Sequence, residues 1–181
     1  MSIMAKKQSD FKPAPEGQFV AVCCDVVDLG MVETTWKGEV KMRHKIRVCF
    51  QIDKINPDDG KPYLVMQRFT LSMHENGWLR PFLESWRGKP YTEDQAADGI
   101  DVELMVGVGA LLQIVHNTHN GTTYANINSI MKAPKGSEIP EVTDYVRVQD
   151  RPAEDGAARD DGPPIGEPQD DYSEADDDLP F

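Results

Sequence analysis

Within the run 40–52, cationic side chains occupy every second position from 41 to 47. They are Lys41, Arg43, Lys45 and Arg47, and the positions between them are apolar except for one histidine. Because successive side chains of a β-strand point to opposite faces, the run predicts a strand with an inward apolar face and an outward cationic face. Cations on one strand face stand roughly 6 to 7 Å apart, a spacing that can follow a sugar-phosphate backbone. We therefore expect this face to contact the phosphate groups of a nucleic acid.

A solvated outer sheet face is the alternative explanation of these cations. It is less favoured, because unbroken like charge along one strand face costs repulsion that mixed signs would relieve. Arg68, in the next predicted strand, is expected to extend the cationic surface. Trp36 and Lys37 lie in the connection that precedes the run, and Tyr124 lies in a later hairpin. Lys37 would add a phosphate contact, and the two aromatic side chains would stack on bases.

The last six residues have a chemistry of their own. Three aspartates precede an aliphatic residue, a proline and an aromatic residue, in the order Asp176, Asp177, Asp178, Leu179, Pro180 and Phe181. So short and acidic a stretch cannot bury enough apolar area to fold alone. A partner pocket could take the Phe181 ring and the terminal carboxylate and meet the aspartates with a basic rim. We call residues 176–181 the acidic tip and expect it to bind proteins; a tail that only solvates is the alternative.

Charge is divided unevenly along the chain. Residues 1–140 contain 16 Lys and Arg against 17 Asp and Glu, whereas residues 141–181 contain 3 against 14, so the net charge of −12 resides almost wholly in the tail. The body is therefore not too acidic to bind nucleic acid. Composition predicts a flexible N-terminal arm at 1–16, one domain at 17–140 and a disordered acidic linker at 141–175.

Five strands and a helical insertion are expected to position the candidate side chains. Apolar alternation predicts strands near 19–29, 40–52, 63–73, 110–117 and 122–130. Between the third and fourth strands, apolar residues recur at helical spacing at Leu79, Phe82, Leu83 and Trp86, which predicts a helix whose stripe faces the core. This mainly all-β order, three strands, a helix and two strands, is that of the OB-fold, a five-stranded barrel that takes oligonucleotides on strands 2 and 3 and the hairpin loops.

The acidic tip resembles the end of bacterial single-stranded DNA-binding proteins, in which aspartates, an aliphatic residue, proline and phenylalanine follow a flexible linker. The body resembles OB-fold single-stranded DNA-binding proteins encoded by tailed bacteriophages in the stretches 71–75, 83–88 and 124–127. These resemblances imply an OB-fold that holds single-stranded DNA and a tip that docks replication, recombination and repair enzymes. They imply a bacterial host cytoplasm as the location, and they leave the formation of a homo-oligomer open.

Together with the cationic face, the resemblance predicts a protein that binds and protects single-stranded DNA largely independently of sequence, without catalytic residues, metal or cofactor. The first alternative is an interaction protein that uses the tip to occupy the pockets of host partners without binding DNA itself. A nuclease is less favoured, because the sequence shows no carboxylate constellation at metal-binding spacing, no phosphate-cradling Gly-rich loop and no nucleophile motif. The residues do not exclude a duplex and do not decide between DNA and RNA.

Other patterns predict where the chain resides and how its cysteines behave. No apolar run approaches the roughly 20 residues that a spanning helix needs, and residues 1–15 lack a hydrophobic signal core. These features predict a cytoplasmic protein without membrane contact. Cys23, Cys24 and Cys49 lie in apolar strand patterns and should be buried free thiols. His44 falls on the predicted inward face and is expected to be a core histidine.

Overall fold

The five strands and the helix occur near the predicted positions, but the first strand continues to Trp36, through most of the stretch predicted to be a connection. The computed structural model describes residues 12–152. Its strands are β1 (Gly17–Trp36), β2 (Glu39–Ile55), β3 (Pro62–Thr70), β4 (Gly109–His119) and β5 (Thr122–Lys132). Between β3 and β4 lie the helices α1 (Leu79–Arg87) and α2 (Glu93–Asp98) and a 3₁₀ turn, Val102–Met105; a second 3₁₀ turn spans Val148–Asp150. The prediction of a mainly β fold with five strands and a helical insertion is confirmed.

All five strands belong to one antiparallel sheet with the order β3-β2-β1-β4-β5. β1 is the central strand, because it pairs with β2 along nearly its whole length and with β4 through Gly17–Val22. A β-bulge between Cys23 and Asp25 follows directly after the last residue that pairs with β4. Bulges bend and twist a strand, so β1 leaves the region of β4 at this point.

The far halves of β1 and β2 form a two-stranded hairpin. β4 pairs with β1 only as far as Val22, and β3 pairs with β2 only from Lys45 onward. Lys37 and Gly38 close the hairpin with positive φ angles of 47° and 82°, as two-residue hairpin turns require. We call residues 30–44 the hairpin arm.

α1 packs against one side of the sheet. Its residues Leu79, Leu83 and Trp86 are buried, as the helical spacing predicts. The ring of Phe50 in β2 lies 5.2 Å from the ring of Trp86, and the indole N–H donates to the carbonyl oxygen of Gly109 at 2.9 Å. These contacts fix α1 between the middle of β2 and the start of β4.

The other side of the sheet is covered by residues 141–152, which we call the covering segment. Its apolar side chains pack against a second cluster of buried residues that contains Cys24, Cys49 and Met66. The side chain of Gln51 exchanges two hydrogen bonds with the backbone of Thr143. Both faces of β1, β2 and β3 are therefore buried in this region.

Asp25 of β1 holds the covering segment in place. Its carboxylate, 1% exposed, accepts hydrogen bonds from the Tyr145 hydroxyl at 3.0 Å, Arg147 Nε at 3.0 Å and the Val148 backbone N–H at 2.9 Å. Burial raises the pKa of Tyr145, so that its hydroxyl remains a donor. The Arg147 guanidinium also forms an ion pair with the Glu103 carboxylate in the first 3₁₀ turn, with an N–O distance of 2.8 Å. A buried carboxylate needs such donors, because its lost hydration would otherwise be uncompensated.

The predicted linker boundary needs correction. A linker that starts at residue 141 is incompatible with the hydrogen bonds that Thr143, Tyr145, Arg147 and Val148 make to the sheet. The acidic composition of this segment predicted disorder. A few hydrogen-bond donors and apolar side chains are nevertheless enough to dock a short chain on the sheet. The rest of the predicted linker, 153–175, lies outside the described residues.

The predicted N-terminal arm is also too long. Ala14 is buried, and its carbonyl oxygen lies 2.6 Å from Nε2 of His116. The Glu16 carboxylate accepts a hydrogen bond from the backbone N–H of the same histidine at 2.8 Å. Ala14 and Glu16 thus belong to the folded body, and residues 1–11 lie outside the described residues.

Asp25→Asn should lower the free energy of unfolding by about 2 to 4 kcal/mol, because the buried Arg147 contact loses its charged partner and an amide nitrogen faces a donor. Urea unfolding followed by circular dichroism measures the change. Asp53→Asn removes the same charge from an exposed position of β2 and should change stability by less than about 0.5 kcal/mol. Equal stability of the two variants would show that Asp25 does not hold the segment.

Candidate nucleic-acid interface

The four cations of β2 occupy one face of the strand, but they are not equally accessible. Lys45 and Arg47 are 3% and 2% exposed, whereas the side chain of Lys41 is 36% exposed and Arg43 is half-buried. The prediction of one exposed cationic face is therefore wrong for Lys45 and Arg47. The two pairs differ in position: Lys45 and Arg47 lie where β2 pairs with both β3 and β1, while Lys41 and Arg43 lie in the hairpin arm beyond the end of β3.

Arg68 lies within the covered part of the sheet. It is half-buried on β3 and stands directly opposite Arg47 in the β2–β3 register. Like charges at opposed positions repel, so the Arg47–Arg68 pairing does not by itself stabilise the sheet. Arg68 is adjacent to the β2 cations in the sheet, as expected. Its partner Arg47 is buried, however, so Arg68 and Arg47 do not form a continuous exposed cationic surface.

The hairpin arm exposes apolar side chains opposite its cations. Met31, Val40 and Met42 are 59%, 58% and 54% exposed. The β1–β2 register puts Val40 and Met42 at positions that alternate with Lys41 and Arg43. The sequence pattern predicted that Val40 and Met42 pack inward. They do not, because β3 and β4 end before they reach the arm.

Acidic and basic side chains form pairs at the two ends of the hairpin arm. Lys41 forms an ion pair with Glu39 at 3.8 Å, and Nε2 of His44 lies 2.6 Å from the Asp28 carboxylate. The Gly30 backbone N–H and His44 lower the pKa of Asp28. His44 has a side chain that is 40% exposed, so the prediction of a core histidine is wrong.

The structure brings some of the remaining candidates into the arm and leaves others apart. Lys37 is exposed in the closing turn, and Trp36 pairs with Glu39 at the end of the arm; the side chain of Trp36 is outside what is described. Tyr124 is half-buried and pairs with Asn117 in the β4–β5 hairpin, so the register does not place it beside the β2 cations. The acidic tip lies outside the described residues.

The three cysteines lie in the sheet and are buried free thiols, as predicted. Burial raises the pKa of Cys23 to about 12 and that of Cys49 to about 11, and it raises the pKa of Cys24 as well. Thiols with raised pKa values are poor nucleophiles and poor metal ligands at neutral pH. Within residues 12–152, no group of His, Cys, Asp and Glu side chains is arranged to hold a metal ion, and no helix has the length and apolar character to cross a membrane.

The cysteines should react with Ellman's reagent at pH 8 only when the protein unfolds, because burial keeps them protonated and out of reach. Absorbance at native conditions should stay near zero over minutes and rise to three thiols in denaturant. Rapid native labelling would contradict the packing of the covering segment over Cys24 and Cys49.

The sequence matches no protein-family model, and no curated protein matches it.

Proposed function

We propose that this chain is a non-enzymatic, largely sequence-independent binder of single-stranded DNA, with the hairpin arm as its principal contact. The observation that carries the proposal is the arm itself, which extends beyond β3 and β4 and combines Lys37, Lys41 and Arg43 with exposed apolar side chains. Phosphates would be neutralised by the cations, with release of counterions. Met31, Met42 and Trp36 would contact the faces of unstacked bases, a mode that tolerates any sequence.

The finer fold that we propose is an OB-type barrel. Two features support it: α1 lies between β3 and β4 in the chain, and β3 and β5, the two edges of the sheet, come near each other. In a barrel of this kind the first hairpin borders the face that takes oligonucleotides. The same proposal includes a bacterial cytoplasm, a role in phage DNA replication or recombination, and an acidic tip that recruits the enzymes of those processes; these rest on the resemblance.

A second function is favoured by the apolar face of the arm. Met31, Val40 and Met42 form a surface that suits a protein partner as well as bases, since exposed apolar patches commonly mark interaction sites. The chain would then be an interaction protein that engages partners through the arm and the acidic tip and never holds DNA. The cations Lys41 and Arg43 favour the DNA-binding function.

The double variant Lys41→Ala, Arg43→Ala should bind a labelled dT oligonucleotide about tenfold more weakly at low salt and lower the slope of log K against log salt by about 1 to 1.5. Fluorescence anisotropy across a salt series measures both. The matched control Lys89→Ala, Lys135→Ala removes two exposed cations outside the arm and should leave affinity nearly unchanged.

A duplex of equal length distinguishes single-strand from duplex binding by the unmodified chain. Equal losses in the arm and control variants would contradict the arm as the contact. Failure of the unmodified chain to bind either oligonucleotide would overturn DNA binding and leave the interaction protein as the better account.

A further inference from the structure

An apolar cleft opens on the side of the body where α1 packs. It has a volume of about 410 Å³ and lies between α1, the 3₁₀ turn Val102–Met105 and the residues that follow β5. Leu83, Trp86, Met105 and Val108 supply its apolar wall, with Ile139 from the chain after β5. Its volume is that of a ligand pocket, and it is separate from the hairpin arm in the sequence and in the sheet.

Two cations complete the lining of the cleft. They are Arg87 at the end of α1 and Lys132 at the end of β5, and the described residues that line the cleft include no Asp or Glu. Arg87 also lies 4.1 Å from the centre of the Tyr91 ring, which fixes its guanidinium. An apolar wall with two cations selects a ligand that joins an aromatic or aliphatic group to carboxylates.

We propose that this cleft binds the acidic tip of the same chain, with Leu179 and Phe181 against the apolar wall and the aspartates facing Arg87 and Lys132. The tip has the chemistry that the cleft selects, three carboxylates followed by two apolar side chains around a proline. The inference does not depend on DNA binding, because it concerns a different surface and a different ligand.

The covering segment ends near the cleft, so the acidic tip that follows it in the sequence can reach the cleft of its own chain. Arg147 is tied to Glu103, and Glu103 belongs to the same 3₁₀ turn as Met105, which lines the cleft. From Pro152 to Asp176 the sequence has 23 intervening residues, and a coil of that length has a root-mean-square span of about 24 to 29 Å. Tethering at this range gives an effective concentration of order mM, which favours the chain's own tip over that of a second copy.

Occupation of the cleft would regulate the tip. A tip bound in the cleft is hidden from other proteins, so that a partner must compete with the intramolecular contact. With an effective concentration of about 1 mM and a tip affinity of about 0.1 mM, the apparent affinity for a partner falls about tenfold. Weak partners would be excluded, and strong partners would open the contact.

The test uses the full chain and a fluorescent peptide with the sequence of residues 174–181, in the absence of DNA. Phe181→Ala removes the ring from the chain's own tip, and the variant should bind the peptide about tenfold more tightly than the unmodified chain by anisotropy. Adding Lys132→Glu to Phe181→Ala should weaken peptide binding at least about fivefold. The matched control Lys135→Glu changes an exposed lysine outside the cleft lining and should have little effect, while Val108→Glu tests the apolar wall independently of Lys132.

Four results would overturn the proposal. Equal peptide affinity of the unmodified chain and Phe181→Ala would show that the chain's own tip does not occupy the cleft. An equal loss with Lys132→Glu and Lys135→Glu would show unspecific attraction by positive charge. A loss with Lys41→Ala, Arg43→Ala would place the peptide on the hairpin arm instead. Weaker peptide binding by the unmodified chain only at high protein concentration would make the occupant a second copy.

Discussion

The buried carboxylate of Asp25 is the interaction on which the rest of the described structure depends. An anion inside a sheet loses its hydration, and three donors from one short segment, Tyr145, Arg147 and Val148, replace it. The segment can dock because those donors converge on one atom group, and its docking buries Cys24, Cys49 and Met66 beneath it. Through Arg147 and Glu103 the same interaction ties the 3₁₀ turn, and with it one wall of the apolar cleft, to the centre of the sheet.

The cations of β2 fall into two groups that differ in exposure. Lys45 and Arg47 lie inside the three-strand region and belong to the folded body, whereas Lys41 and Arg43 continue the same row into the hairpin arm. We therefore assign the phosphate contacts of the proposed function to the arm, and a structural role to the inner cations.

The sequence predicts local features well and long-range ones poorly. Alternation over 40–52 correctly placed the β2 cations on the face opposite Ile46, Val48 and Phe50, and the spacing of Leu79, Leu83 and Trp86 correctly predicted the buried face of the helix. Periodicity does not reveal how far neighbouring strands extend, so it could not tell that Met42 would be exposed or that Arg47 would be buried. One signal was present: Asp25 interrupts the otherwise apolar run 19–27, and a buried carboxylate requires hydrogen-bond donors. No local pattern indicates that those donors lie about 120 residues away.

The most direct test of the central claim is an amide ¹H–¹⁵N spectrum of the full chain titrated with a dT oligonucleotide. The largest shifts should fall on residues of the hairpin arm, with Lys41 and Arg43 among them. The amide of Val148, held by Asp25, should not move, because the covering segment stays docked while DNA binds. Shifts concentrated on the β4–β5 hairpin around Tyr124, or a displaced Val148 amide with Lys45 and Arg47 newly exposed to DNA, would contradict the division of the cationic row.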